Sequence, residues 1–133
     1  MRRLLIMALL LGAPLAGLAQ KANEAQNRVL GEVAACLQAG LPPDWRSAEM
    51  VVDLKKPGAE TGEVRYLMRR SLSGGQFEPF RPCDEKKAAR ALIEVRKTQA
   101  ADRRNWTSAR FVIRNDGTYD LTFDYPPPAQ KKK

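Results

Sequence analysis

The sequence has no histidine, and its 133 residues include only two cysteines. Without histidine the chain cannot form a Ser-His-Asp or Cys-His catalytic centre, a histidine-containing zinc site or an imidazole general base. A glycine-rich phosphate loop is missing as well, because Ser73-Gly74-Gly75 is too short and lacks the following lysine. We therefore predict a protein that is not an enzyme and holds neither a cofactor nor a metal ion.

Long apolar runs are also scarce. The uncharged stretch over residues 4–19 is shorter than the roughly 20 apolar residues of a transmembrane helix. It follows Arg2 and Arg3 and ends in small residues, which is the pattern of a secretory signal peptide. The sequence predicts a signal peptide over residues 1–19, a periplasmic or secreted protein, and no stable membrane insertion after cleavage.

Negative charge is the scarcer sign: 15 acidic residues stand against 23 basic ones, for a net charge of +8. Such a balance favours acidic partners or anionic envelope surfaces, although it also serves simply to keep a protein soluble. Residues 20–126 are long enough for one domain with a single core. We expect residues 127–133, which end in three lysines, to form a disordered basic tail.

The two cysteines, Cys36 and Cys83, leave three alternatives open. They form a disulfide, they are two free structural thiols, or Cys83 is a reactive thiolate at the start of a helix. Export favours the disulfide, because disulfides persist outside the cytoplasm. Asp84 and Glu85 disfavour a thiolate beside them.

Hydrophobic periodicity divides the chain into helices and strands. The predicted elements are a helix over residues 22–37, strands over residues 45–54, 64–69 and 76–80, and a second helix over residues 84–102. A hairpin follows the second helix. The third strand is expected to be short or at an edge because of its prolines, with Phe77 as its core contact. The predicted fold class is α+β, with two helices packed on an antiparallel sheet of four to five strands in the order α-β-β-(β)-α-β-β.

The hairpin over residues 105–125 is specified down to its register. A three-residue loop at Asn115-Asp116-Gly117, with Gly117 left-handed, places apolar residues opposite one another, whereas a two-residue turn does not. The predicted pairs are Ile113 with Tyr119, Phe111 with Leu121, and Ala109 with Phe123. The same periods predict a core of Val29, Val33, Trp45, Val52, Tyr66, Leu92, Val95, Phe111, Ile113, Leu121 and Phe123.

The opposite sheet face is expected to face water, and its arginines are the candidate binding residues. Arginine and tryptophan are the types that most often anchor protein interfaces. The predicted partner-binding residues are Arg65, Arg69, Trp106, Arg110 and Arg114. The alternative is that these arginines only pair with Asp120, Asp124 and nearby carboxylates to keep the sheet soluble.

Two other chemistries are disfavoured by the same pattern. The carboxylates of Asp116, Asp120 and Asp124 are spread along the hairpin and do not converge on a metal ion. Nucleic acid needs cations beside stacking rings, but Tyr66 lies on the opposite face of its strand from the arginines. Export would also separate the chain from cellular nucleic acid, and we predict no nucleic-acid partner.

Five short segments carry a family resemblance: Leu41-Pro42-Pro43-Asp44-Trp45, Gly62-Glu63-Val64-Arg65-Tyr66, Asn105-Trp106-Thr107, Asn115-Asp116-Gly117 and Phe123-Asp124-Tyr125. They resemble segments of the YezG-like immunity proteins, which are antitoxins of bacterial polymorphic toxin systems. The resemblance spans about residues 22–126 and is most specific in the hairpin. It implies an α+β fold and a protein that binds and blocks one toxin without catalysis.

The chain departs from that family in its basic charge, its predicted export and its possible disulfide. Family members resemble cytoplasmic, acidic proteins that neutralise nucleases, so the nuclease target does not carry over. We expect a periplasmic immunity protein that binds an acidic toxin acting in the cell envelope. The alternative is an envelope binding module for anionic polymer or lipid headgroups.

Overall fold

The computed structural model of the chain describes residues 24–71 and 75–126. The predicted signal peptide and the predicted basic tail lie outside these residues. A first helix, α1, covers residues 24–38. It is followed by the strands β1 (Trp45–Asp53), β2 (Glu63–Arg70) and β3 (Phe77–Pro79), the helix α2 (Glu85–Glu94), and the strands β4 (Ser108–Arg114) and β5 (Tyr119–Asp124).

The five strands form one antiparallel sheet in the order β3-β2-β1-β4-β5. The central strand β1 therefore pairs with β2, which follows it, and with β4, which lies beyond α2. Together with the helices, this sheet confirms the predicted α+β class. In the described part of the chain no helix has both the length and the apolar composition needed to cross a membrane.

The hairpin has the predicted register. Ile113 lies opposite Tyr119, and the two other predicted apolar pairs are also present. Gly117 has a φ of +92°, and its N–H donates to the Arg114 carbonyl at 3.0 Å. A positive φ is readily adopted by glycine, which explains why the three-residue loop forms here.

The core lies between the two helices and the face of the sheet that they cover, which we call the inner face. It is formed by alternate residues of the strands, such as Met50, Val52 and Phe111, against Leu37 and Leu92 of the helices. Seven of the predicted core residues are buried: Val33, Val52, Tyr66, Leu92, Val95, Phe111 and Ile113. The other four, Val29, Trp45, Leu121 and Phe123, are half-buried and pack against the core.

The prediction for Phe77 was wrong. In β3 this residue pairs with Arg69, so its ring lies on the face of the sheet away from the helices, with 42% of the residue exposed. The core contact in this segment is Phe80, which follows the strand and packs edge-on against Tyr66 at 6.0 Å between ring centroids. β3 is an edge strand of three residues, as its prolines predicted.

The second helix is shorter than predicted. It begins after Asp84, whose side chain caps the N–H of Lys87, and it continues as a 3₁₀ turn over Val95–Thr98. Gln99 then adopts an extended conformation, and its side-chain oxygen accepts a hydrogen bond from the Trp106 indole at 2.9 Å. The predicted helix was too long because the periodicity of the sequence does not reveal this tertiary contact.

Cys36 and Cys83 form a disulfide that joins the end of α1 to the segment before α2. Their Cα atoms are 4.8 Å apart, and the Cys83 N–H donates to the Cys36 carbonyl at 2.9 Å. Nearby, Gly40 allows the backbone of Arg81 to approach so closely that a Cβ at this position would overlap the Arg81 carbonyl oxygen. The bridge and this close approach fix α1 against the start of α2.

Candidate functional site

The side chains opposite the helices form the outer face of the sheet. Within the described residues, both helices pack on the inner face, and no element lies across the outer one. The outer face carries Ser47, Glu49, Val51, Asp53, Glu63, Arg65, Leu67, Arg69, Phe77, Pro79, Ser108, Arg110, Val112, Arg114, Asp120, Thr122 and Asp124. Arginines from β2 and β4 thus stand, among carboxylates, on a sheet face that no described element covers.

At the centre of this face, a buried carboxylate is paired with an exposed arginine. The Glu49 side chain is only 11% exposed, whereas that of Arg110 on the neighbouring strand is 54% exposed. Both Nε and Nη2 of Arg110 donate to Glu49 Oε1, at 3.0 and 2.6 Å. The long arginine side chain therefore shields the middle of β1 and neutralises its only buried acidic residue among those described.

Replacing Arg110 with alanine is expected to lower the free energy of unfolding by about 1–3 kcal/mol, because the Glu49 carboxylate would lose both charge-assisted hydrogen bonds that Arg110 donates. From the sequence alone, the same substitution at a solvent-facing position is expected to cost well under about 1 kcal/mol. Urea denaturation of the purified variant measures the loss.

The matched control is Arg65→Ala, since Arg65 makes an exposed ion pair with Asp53 at 3.5 Å and should contribute under about 1 kcal/mol. Equal losses in the two variants would contradict the special role of Glu49.

The hairpin end of the outer face is fixed by a small polar network. Arg114 pairs with Asp120 across the hairpin, and this pairing raises the pKa of the Arg114 guanidinium. In the loop, Asp116 accepts hydrogen bonds from the N–H and the hydroxyl of Thr118, and these lower the pKa of the Asp116 carboxyl. Arg114 is therefore held in place on the surface.

Arg69 and Phe77 form an exposed pair near the β3 edge. The Arg69 guanidinium carbon lies 4.2 Å from the centroid of the Phe77 ring. A cation over an aromatic face is attracted by the ring quadrupole, which restricts the arginine to one region of the surface. Arginine beside an aromatic ring is a combination enriched at protein interfaces.

A cleft of about 390 Å³ opens where β1 begins and where β2 and β4 end. Four arginines line it, two of them on the outer face already described and two beyond it. The complete lining is Arg46, Ser47, Arg69, Arg70, Ser71, Gly75 and Arg114. We refer to it as the arginine cleft. A second groove of about 330 Å³ adjoins it along the outer face and shares Ser47, Arg69 and Arg114.

Sequence reasoning missed Arg46. By alternation it shares the parity of Ala48 and Met50, which point into the core. The register between β1 and β2 shifts between Trp45 and Ser47, so an additional residue is accommodated there and Arg46 is exposed beside the outer face. An arginine at an otherwise apolar position was the available signal.

Four of the five predicted binding residues lie on the outer face: Arg65, Arg69, Arg110 and Arg114. The expectation that Trp106 is exposed was wrong, since none of its surface is accessible. Trp106 precedes β4, where the alternation of a strand does not apply, and its ring packs on Phe123 at 5.1 Å between centroids. It belongs to the core and contributes no surface to a partner.

The outer face offers arginines, exposed carboxylates, three hydroxyl groups and one exposed ring for binding. Across the described ranges, no group of three or more histidine, cysteine, aspartate or glutamate side chains is arranged to hold a metal ion. Comparison of the sequence with models of known protein families and with curated proteins finds no match.

Proposed function

We propose that this protein is a non-catalytic binding protein that engages an acidic partner protein through the outer face of its sheet. The observation that carries the proposal is the set of arginines from β2 and β4 on a face that no described element covers, with Arg46 of β1 beside it. Complementary charge accelerates association and selects the partner.

The rigidity of this face supports a protein partner. Arg110 is held by Glu49, Arg114 by Asp120, and Arg69 by the Phe77 ring. Side chains that are already ordered lose less conformational entropy on binding. A regular strand surface is also broad, which suits another folded protein.

The partner we propose is a toxin that acts in the cell envelope, which would make this chain an immunity protein. Two features support this: the resemblance to YezG-like immunity proteins, and the Cys36–Cys83 disulfide, which is compatible with an oxidising compartment. On this proposal the protein is periplasmic or secreted, and its arginines cover an acidic cleft of the toxin.

The proposal is tested by co-expressing the protein with a toxin encoded beside its gene and measuring the complex by size-exclusion chromatography and calorimetry. The informative variant is Arg65→Glu with Arg69→Glu, because both side chains are exposed on β2 and neither pairs with a buried carboxylate. Loss of the complex and of protection is the expected result.

The matched control reverses two exposed charges on the helix layer, Lys86→Glu with Arg90→Glu. This variant has the same net charge as the outer-face variant but should bind normally. Retained binding and protection in a folded Arg65→Glu, Arg69→Glu variant, or equal losses in both variants, would reject the outer face as the binding surface.

A second candidate function is that of an envelope module for anionic polymer or lipid headgroups, and the arginine density favours it. Salt dependence and stoichiometry separate the two candidates. A polyanion binder loses affinity steeply as salt rises, whereas a protein inhibitor forms a complex of defined stoichiometry with a smaller electrostatic contribution.

A further inference from the structure

The arginine cleft concentrates positive charge more than the rest of the outer face does. Because the strands are antiparallel, the start of β1 and the ends of β2 and β4 meet at one end of the sheet. The bulge at the start of β1 places Arg46 beside Arg69, Arg70 and Arg114 in the lining. Backbone geometry therefore places four arginines around one cleft.

Two of these four charges have carboxylate partners. Arg70 Nε donates to both carboxylate oxygens of Asp44, Oδ1 at 3.0 Å and Oδ2 at 3.2 Å. Arg114 pairs with Asp120. Among residues 24–71 and 75–126, neither Arg46 nor Arg69 has a carboxylate within ion-pairing distance. The cleft thus carries an excess of two positive charges.

The chemistry of the lining is selective for an oxyanion. Guanidinium groups donate pairs of parallel hydrogen bonds that match phosphate oxygens. The hydroxyl groups of Ser47 and Ser71 also line the cleft and are able to donate. Its volume of about 390 Å³ admits a phosphate group with part of its hydration shell.

We propose that the arginine cleft binds a phosphate dianion, either inorganic phosphate or a terminal phosphate monoester. The excess of two guanidinium charges, counted over the described residues, matches the two negative charges of such a group. This inference does not rest on the proposed protein-binding function, because the ligand is a phosphate group; if that phosphate belongs to a lipid headgroup, it specifies the ligand of the second candidate function.

The test is calorimetric titration of the folded protein with inorganic phosphate at mildly alkaline pH, with acetate as the monoanion control. We expect one site per chain, with acetate binding at least tenfold more weakly. Arg46→Gln and Arg69→Gln should each weaken phosphate binding about tenfold or more, because each removes a charge-assisted hydrogen bond. The matched control is Arg65→Gln, which removes an equal charge from the same face outside the cleft and should change the affinity less than twofold.

A second arm uses vesicles of phosphatidylcholine with or without phosphatidic acid, whose headgroup ends in a phosphate monoester. Binding of inorganic phosphate identifies free phosphate as a sufficient ligand. Binding only to the phosphatidic acid vesicles, abolished by Arg46→Gln, identifies the lipid headgroup as the source. Unchanged thermal midpoints show that the variants are folded. The proposal is overturned if neither probe binds, or if Arg65→Gln weakens binding as much as the cleft variants do.

Discussion

Trp106→Ala is expected to destabilise the fold by about 3–5 kcal/mol, the range found when large aromatic side chains are removed from a core. The Trp106 side chain is completely buried, packs on Phe123, and satisfies its indole N–H on the Gln99 side chain. Its removal would leave a cavity beneath β5 and an unpaired Gln99 oxygen. Urea denaturation monitored by far-ultraviolet circular dichroism gives the loss without relying on tryptophan fluorescence.

The chain contains a matched control, because its only other tryptophan, Trp45, is half-buried. Trp45→Ala should cost clearly less than Trp106→Ala. Trp106→Phe should retain most of the packing but not the hydrogen bond, so its stability should lie between those of the wild type and Trp106→Ala. A loss under about 1 kcal/mol for Trp106→Ala would show that this residue is not part of the core.

Removal of the disulfide is the second change with a large expected effect. Cys36→Ala with Cys83→Ala should lower the free energy of unfolding by about 2–5 kcal/mol. The two cysteines are separated by 47 residues, so the bridge restricts a long loop of the unfolded chain. Chemical denaturation of the oxidised protein and the double variant measures this difference.

Reduced wild-type protein is the control for the alanine substitutions. If the loss comes from the cross-link, reduction alone should produce most of it, and the reduced protein should unfold near the midpoint of the double variant. Equal stability of the oxidised and reduced proteins would mean that the bridge does not contribute to the fold. Cys36 would then matter only as a small buried side chain.

The sequence was most informative where local rules decide the structure. The hairpin register followed from Gly117 and from apolar residues that had to face one another, and both are properties of adjacent residues. The pairing of Cys36 with Cys83 was among the predicted alternatives, and the predicted export favoured it. In such regions tertiary contacts reinforce the local preference.

Prediction failed where a local pattern ends or is interrupted. Trp106 was assigned by extending the alternation of β4 beyond the first residue of the strand, where the chain turns toward the core. Arg46 was overlooked because a bulge changes the parity of β1 at its start. Phe77 was placed in the core because it is apolar, although its pairing with Arg69 puts it on the outer face.

The position of β1 in the middle of the sheet also determines how the chain reaches its native state. The β4–β5 hairpin joins neighbouring residues and is able to form early, whereas Glu49 of β1 and Arg110 of β4 are 61 residues apart in sequence. The disulfide encloses β1, β2 and β3 in one loop but leaves β4 outside it. Oxidation therefore shortens the search that brings α1 to α2, whereas the docking of the hairpin onto β1 still has to bring together distant parts of the chain.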